Sequence, residues 1–474
     1  MELDSHNFKA NAKKALDNED LQGSLEKLQT GFPIKRLAAM AKLPEFEGLR
    51  DQARDIKDHT LRHLDFYLEQ FECKVLETGG HVHWARDIND GREIVHGICQ
   101  KVGAKTVTKG KSMIGEEMAI NEYLEEKGMI PIETDLGEYI IQLRGEPPSH
   151  IIAPAIHLRK SHVEEAFRKE HTELPKERNL DAAEDLLTEA RGILRQKFID
   201  ADVGITGANF MIAETGSTVI VTNEGNGDLT QTLPRVHIVL CSIEKVVPNL
   251  EDCTTLLRVL ARSATGQEQS VYTTFSTGGK QEGDLDGPDE FHVVILDNGR
   301  SKMIGHETHD MLRCIRCSAC INHCPVYQSI GGHAYGSIYP GPMGSVLTPA
   351  LHGIEKSCDL PNASTMCGKC EEVCPVRIPL PSLLRSWREK QWDEGPVPFM
   401  QRLGLSWWAF WSLRPKIYHW AVKIKMPILA WLARHNGHLK SIPVIKGWTE
   451  TRDFPAPEGK TFQQMWKEKG GRKS

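Results

Sequence analysis

The chain has 474 residues, 40% of them hydrophobic and 26% charged, with a formal net charge of −6. That length suggests about three domains, and the apolar share is enough for a sizeable core. No stretch approaches the ~20 apolar residues of a membrane-spanning helix, and Met1 to Ala10 carries acids and no apolar run, so neither a helical span nor a secretory leader is expected.

Residues 1 to about 70 read as a helical, solvated extension, because Asn11 to Thr30 and Leu49 to Phe71 are rich in Leu, Lys, Glu and Asp. From about 75 to 300, strand and helix signals alternate. His81 to Ala85 predicts a strand, Asp87 to Val102 a helix stopped by Gly103, and Lys105 to Lys109 a strand. Gly115 to Lys127 predicts a helix, Leu136 to Leu143 a strand and Ala182 to Phe198 a helix. Ser217 to Thr222, Val236 to Leu240, Ser270 to Ser276 and Phe291 to Leu296 are β-rich, and Gly278 to Pro288 is a polar loop. Strands alternating with helices of this length imply an α/β domain with a largely parallel sheet.

Two turn-rich segments flank the strand Thr218 to Val221. One runs from Gly204 through Asn209 to Glu214 and Thr215; the other holds Asn223, Glu224 and Asn226. Such turns offer backbone N–H groups and side-chain amides at strand ends, where α/β sheets bind ligands. Upstream, Lys111 and Ser112 close a strand and open a helix, a placement suited to a phosphate or carboxylate. The alternative is that the glycines only make tight turns, with Asn223 and Asn226 left-handed. Neither segment is a nucleotide fingerprint, and no catalytic residue is assigned.

The densest signal is a pair of cysteine runs, Cys314-x2-Cys317-x2-Cys320-x3-Cys324-Pro325 and Cys367-x2-Cys370-x3-Cys374-Pro375. Close-spaced thiolates ending in Cys-Pro hold [4Fe–4S] clusters in two-cluster ferredoxins, where the fourth Cys of each run serves the other cluster. Cluster one would use Cys314, Cys317, Cys320 and Cys374, and cluster two Cys324, Cys367 and Cys370. Cluster two is then one thiolate short, because Ser364 stands where a full second run has Cys. Cys358 looping in, a [3Fe–4S] cluster, and a [4Fe–4S] cluster with a non-cysteine ligand all remain open. Paired zinc knuckles fit this spacing poorly. Nearby His306, His309 and His323 read as surface or supporting residues. Cys73, Cys99, Cys241 and Cys253 read as small buried apolar residues, and labile clusters with free thiols argue for a reducing cytoplasm.

Composition changes after the second run. From Leu380 onward there are 17 lysines and arginines against 7 acids, and nine of the ten tryptophans, including Trp407, Trp408, Trp411, Trp420 and Trp431. The longest uncharged stretch there, Leu403 to Leu413, is too short to span a bilayer. Packing within the chain or on a partner subunit is favoured over peripheral membrane contact and over single-stranded nucleic acid.

The segment Gly204 to Gly227, continuing through Leu233-Pro234-Arg235-Val236-His237 and Glu244-Lys245-Val246-Val247-Pro248, resembles the lactate-utilisation (LUD) domain. With the two Cys-Pro runs, the Tyr339-Pro340-Gly341-Pro342 insert and the Trp-rich tail, the arrangement resembles the lactate utilisation protein B family. The resemblance implies an α/β LUD domain of NagB/RpiA/CoA-transferase-like fold, an α-helical two-cluster ferredoxin module and a basic helical tail. The expected bounds are 1–70 for the extension, 71–303 for the LUD domain, 304–384 for the cluster module and 385–474 for the tail. It also implies an iron–sulfur electron-transfer subunit of a system oxidising L-lactate to pyruvate. Its partners would be a cysteine-rich CCG-type subunit and a LUD-only subunit, with the seven cysteines as cluster ligands.

The chain carries no flavin or nicotinamide motif, so hydride abstraction by this chain alone is not expected. Any chemistry here belongs in the LUD pocket, with Lys111 and Ser112 holding a carboxylate and Glu214 or Glu224 taking a proton. The competing reading is a ligand-binding or redox-sensing protein with structural clusters. A stand-alone isomerase or acyltransferase rests on fold analogy only and leaves the cluster module idle.

Overall fold

The computed structural model describes residues 3–394, 397–440 and 452–470. They form two compact units, Met1–Glu394 and Gly395–Ser474.

The first unit is built on a six-stranded, wholly parallel sheet. Its strands are β1 (His81–Ala85), β2 (Thr106–Lys109), β3 (Ile130–Glu133), β4 (Val203–Gly207), β7 (Val236–Ser242) and β10 (Glu290–Leu296), in the order β1-β10-β7-β4-β2-β3. The inner strands β4 and β7 are buried along their whole length, as expected of parallel strands covered on both faces. A smaller sheet, ordered β8-β5-β6-β9, holds β5 (Phe210–Ile212), β6 (Ser217–Thr222), β8 (Val246–Val247) and β9 (Tyr272–Ser276). The helix Ile88–Lys101 starts where Asp87 accepts the N–H groups of Asn89 and Asp90, and it gives way to Gly103 at φ 67°.

Three segments differ from the sequence expectation. Leu136 to Leu143, expected as a strand, is the helix Leu136–Arg144. Asp135 caps its start, Gly145 in the left-handed region ends it, and Leu136, Tyr139, Ile140 and Leu143 share one core at helical spacing. Gly115 to Lys127 is not one helix but two, Met113–Glu117 and Ile120–Glu126, parted by left-handed Ala119. Gly204 lies inside β4 rather than in a turn. A Cβ there would sit 1.9 Å from the Thr230 carbonyl, so the glycine lets the helix Asn226–Thr232 rest on the strand.

The N-terminal segment is helical but not a solvated extension. Its helices, from Phe8–Leu16 to Leu64–Glu77, include Leu25, Leu28, Phe46 and Leu49 in one core with Cys317, Cys320 and Val376. Arg36 and Arg50 are buried and both reach backbone carbonyls, Arg50 also pairing with Glu47 at 2.8 Å. Arg36 donates to the Val373 carbonyl at 3.1 Å, and Arg50 to the Cys374 carbonyl at 2.8 and 3.1 Å. Buried Lys57 donates to the Glu244 carbonyl. Of the scattered cysteines, Cys99, Cys241 and Cys253 are buried, whereas Cys73 is exposed on its helix.

Three buried histidines make the fold acid-sensitive. His237 meets Thr206 Oγ1 at 2.8 Å, and His150 accepts the Ile152 and Ala153 N–H groups at Nδ1 while Nε2 faces Asn322 Oδ1 at 2.9 Å. His292 lies between His83 and Glu290. Burial holds His150 and His237 down to about 3 and His292 to about 4. As pH falls below about 6.5 the unfolded chain takes up these protons and the native chain does not. His150 and His237 should therefore each lower stability by about 1.4 kcal/mol per pH unit through that window. The unfolding midpoint is expected to drop steadily from pH 7 to pH 5 and His237→Gln to flatten that slope; equal slopes in both proteins would refute it.

The second unit contains the helices Phe399–Ser412, Pro415–Ala433 and Phe462–Glu468, with His438–Leu439 paired to Phe454–Pro455. Trp407, Trp408, Trp420 and Trp431 are exposed on it. No helix among the described residues is long and apolar enough to cross a membrane.

Candidate functional site

The seven predicted cysteines stand in two groups. Cys314, Cys317, Cys320 and Cys374 line one small void, together with Ser318, Met343 and Val376. Cys324, Cys367 and Cys370 line a second, with Ser364, Met366 and Pro342. Cys358 borders neither; it is half-buried, and its carbonyl accepts from Asn362 Nδ2 at 3.1 Å. His323 turns Nδ1 to the Ala319 carbonyl at 2.9 Å, and His306 is exposed.

These surroundings fit iron–sulfur clusters. Among the described residues, no three Cys, His, Asp or Glu side chains approach closely enough to hold one metal ion. Thiolates around a cube stand farther apart, because the cube's own irons and sulfides lie between them. Ser318 Oγ, at the first void, is buried with no oxygen or nitrogen partner, and so is Tyr335 Oη, which lies against Cys324. A cluster held by four thiolates carries net negative charge, and the first group is ringed by buried cations. Arg36 acts on Cys317, Arg50 on Cys374, and Lys57, Lys245 and Arg316 on Cys314.

Against the first void lies a cavity of about 490 Å³. One wall is the carboxyl ends of the parallel strands, the usual ligand position in an α/β sheet. Lys111 and Ser112 follow β2, Asp135 follows β3, Asn209 follows β4, and Ser242 and Lys245 close β7. Asn223, Glu224 and Asn226 enter from the end of β6, and Arg316, Cys317 and Tyr339 come from the cluster module. Cys317 thus borders both the cavity and the first void.

Six of the eight pocket residues expected from sequence line this cavity, and Glu214 and Thr215 do not. They occupy the exposed turn joining β5 to β6, whereas Asn209 and Asn223 flank the other end of the same hairpin. Two turns bounding one strand lie at its opposite ends, so both cannot face one ligand. Asn223 and Asn226 are not left-handed; Gly225 between them is. Several expected groups are already engaged. Lys111 pairs with Glu138 at 3.2 Å, Ser112 Oγ accepts the Gly115 N–H at 3.0 Å, and Asn209 Oδ1 accepts the Val221 N–H at 3.0 Å. Asn226 Oδ1 is buried without a partner. Burial, then the charge of Asp135, raises the pKa of Glu224.

Sequence reasoning missed the strongest feature of the cavity, Lys245. It is 6% exposed, and its ammonium makes no hydrogen bond or ion pair with any described residue. Burial, then the nearby Arg316, lowers its pKa. Arg316 also went unremarked, though it is the one charged residue between Cys314 and Cys324. Its guanidinium meets Glu244 at 3.2 Å and lies over the Tyr339 ring. Behind it, buried Arg300 binds Glu117 at 2.6 and 2.8 Å and Glu244 at 3.2 Å, and Tyr339 Oη donates to Glu117 at 2.6 Å. Opposing burial, Arg300 and Arg316 hold the Glu244 carboxyl at about 2.

Comparison with known proteins agrees with this layout. The LUD domain family matches residues 68–296, the 4Fe-4S dicluster domain family residues 310–378, and the lactate utilisation protein B C-terminal family residues 390–471. Lactate utilization protein B of Bacillus velezensis is 42% identical over 471 residues, covering 99% of this chain and 98% of its own. The Bacillus subtilis protein of the same name is 41% identical, covering 98% of this chain and 97% of its own. A solved DUF162 family protein from Deinococcus radiodurans is 15% identical, covers 49% of this chain and 98% of its own, and has a TM-score of 0.27, too distant to carry an argument. Full-length identity at this level, with all three family matches in order along the sequence, places the chain in the lactate utilisation protein B family.

Proposed function

We propose that the chain is the iron–sulfur subunit of an assembly that oxidises L-lactate to pyruvate. The observation that carries this reading is Cys317, which borders both a ligand-sized cavity and the first cluster void. Lys245 and Arg316 hold the substrate carboxylate, and Glu224 accepts the hydroxyl proton. Oxidising lactate to pyruvate releases two electrons and two protons: the hydroxyl proton goes to Glu224, the Cα hydrogen leaves with its electron pair to a hydride acceptor supplied by a partner component, and the clusters pass the electrons on one at a time. Ringed by buried cations, the site around Cys314 favours the reduced state more than the site around Cys367.

The cavity is far larger than a three-carbon acid requires. That excess supports a second component entering it, in keeping with the absence of a flavin or nicotinamide motif in this chain. A cysteine-rich CCG-type subunit and a LUD-only subunit are the proposed partners. The exposed tryptophans of the second unit suit contact with such subunits, since aromatic side chains anchor interfaces. The NagB/RpiA/CoA-transferase-like lineage belongs to the same reading, supported by the parallel sheet and the cavity at its carboxyl ends. So does a cytoplasmic location, in keeping with twelve cysteines that are all free of disulfides.

The test is anaerobic EPR of the reconstituted protein titrated with L-lactate, with and without the two partners. Cluster reduction only with partners is the expected result. Reduction by lactate alone would make this chain the dehydrogenase. No reduction with intact clusters and active partners would sink the reading in favour of ligand binding or redox sensing.

A further inference from the structure

Ser364 stands where a second-run cysteine would stand, and its surroundings repeat those of a cluster ligand. The segments beginning at Cys314 and Ser364 match position for position at an offset of 50 residues. Arg316 and Met366 are both left-handed, at φ 59° and 56°, and so are Ser318 and Gly368, at 61° and 81°. One-turn helices follow in each, Ala319–Asn322 and Lys369–Glu372. At the head of the first loop the Arg316 N–H donates to Cys314 Sγ at 3.4 Å; at the head of the second the Met366 N–H donates to Ser364 Oγ at 3.1 Å. A left-handed methionine is strained, and such strain persists where the surroundings impose it. Here it aims Ser364 Oγ as Cys314 Sγ is aimed.

The void confirms the placement. Ser364 lines it with Cys324, Cys367 and Cys370, and Cys358 does not. The loop is also held from behind, with Arg388 donating to the Ser364 carbonyl at 3.1 Å and the Pro361 carbonyl at 2.8 Å. No described residue accepts a hydrogen bond from the Ser364 hydroxyl.

We infer that Ser364 is the fourth ligand of the second cluster, binding its fourth iron through an alkoxide oxygen. The exchange balances without redox change: the Oγ–H bond breaks, an Fe–O bond forms, and hydroxide leaves that iron with the proton as water. The inference rests on the iron–sulfur reading above and deepens it. An alkoxide is a harder ligand than a thiolate and favours the oxidised cluster, so the second site gains a lower potential than a fourth cysteine would give.

The experiment compares full-length reconstituted wild type, Ser364→Ala and Ser364→Cys by iron content, Mössbauer spectroscopy, EPR and cluster potentials, with the Cys314 site of each sample as internal control. The wild type is expected to hold a four-iron cluster at both sites. Ser364→Ala should lose one iron per chain and show the near-isotropic EPR signal of an oxidised [3Fe–4S] cluster. Ser364→Cys should keep all its iron and raise the potential of the second cluster alone. If Ser364→Ala loses the whole second cluster, Ser364→Cys decides. A three-iron second site in the wild type overturns the inference, as does an unchanged spectrum in Ser364→Ala or an unmoved second potential in Ser364→Cys. Failure of the Cys314 site to take iron in the wild type would overturn the underlying reading and this inference with it.

Discussion

Lys245→Met is expected to cut L-lactate-dependent cluster reduction in the assembled complex by about 100-fold or more while leaving both clusters loaded. Lys245 is a buried cation facing the cavity with no described hydrogen-bond or ion-pair partner. Holding such a charge dry is costly unless an anion comes to it. Removing one member of a buried charge pair costs roughly 2–5 kcal/mol, and about 3 kcal/mol corresponds to ~100-fold. If Lys245 holds the carboxylate equally in ground and transition states, the loss falls on KM; if it tightens as electrons leave, kcat falls too. Lys245→Arg should recover part of the rate, because the cation is kept. A merely structural role predicts a variant that loses iron or unfolds, with residual activity in proportion to loaded protein. Unchanged KM and kcat in a fully loaded Lys245→Met protein would remove the residue from the site.

Glu117→Ala should produce the largest loss of stability from a single substitution in the LUD half, about 3–5 kcal/mol. Glu117 accepts both Arg300 amino groups, the Asn298 amide at 2.7 Å and the Tyr339 hydroxyl. Burial raises its pKa, but Arg300 outweighs burial and keeps the carboxyl below its ordinary value. Truncation leaves a buried guanidinium half-paired and two further donors unanswered. As a control, Glu389→Ala removes the exposed partner of Arg385 and should leave the midpoint unmoved. The readout is the thermal midpoint of the loaded protein at one scan rate, followed together with iron release, since cluster loss makes unfolding more than two-state. Equal midpoints for wild type and Glu117→Ala would show that the network adds nothing to stability.

Some of this was legible in the sequence and some was not, for identifiable reasons. Cluster ligation imposes short local spacings, so Cys314 to Cys324 and Cys367 to Cys374 carry their meaning in the chain itself. Six cavity residues were legible because turns at strand ends are where sheets bind ligands. Glu214 and Thr215 misled because sequence proximity hides which end of a hairpin a turn occupies. Lys245 was invisible as a site residue, since its interest lies in burial without a partner and neither condition is written locally. The N-terminal helices read as solvated because Asn11 to Thr30 and Leu49 to Phe71 are rich in charge, and in the sequence Arg36, Arg50 and Lys57 look no different from surface residues. The backbone carbonyls they reach lie 187 to 337 residues away, which no periodicity announces. Leu136 to Leu143 has helical spacing, but its apolar density mimics a buried strand.

The grouping of cysteines bears on how the protein is made. Cys374 completes the group begun by Cys314, and Cys324 belongs with Cys367 and Cys370. A ribosome that has released only the first run has therefore completed neither set of ligands. Arg36 and Arg50, synthesised long before, find their carbonyl acceptors only once residues 373 and 374 emerge. Complete ligand sets exist only once Cys370 and Cys374 have been made. A chain that stops before Cys370 holds neither cluster's full set of ligands, so such a truncated product has no complete redox site to leak electrons.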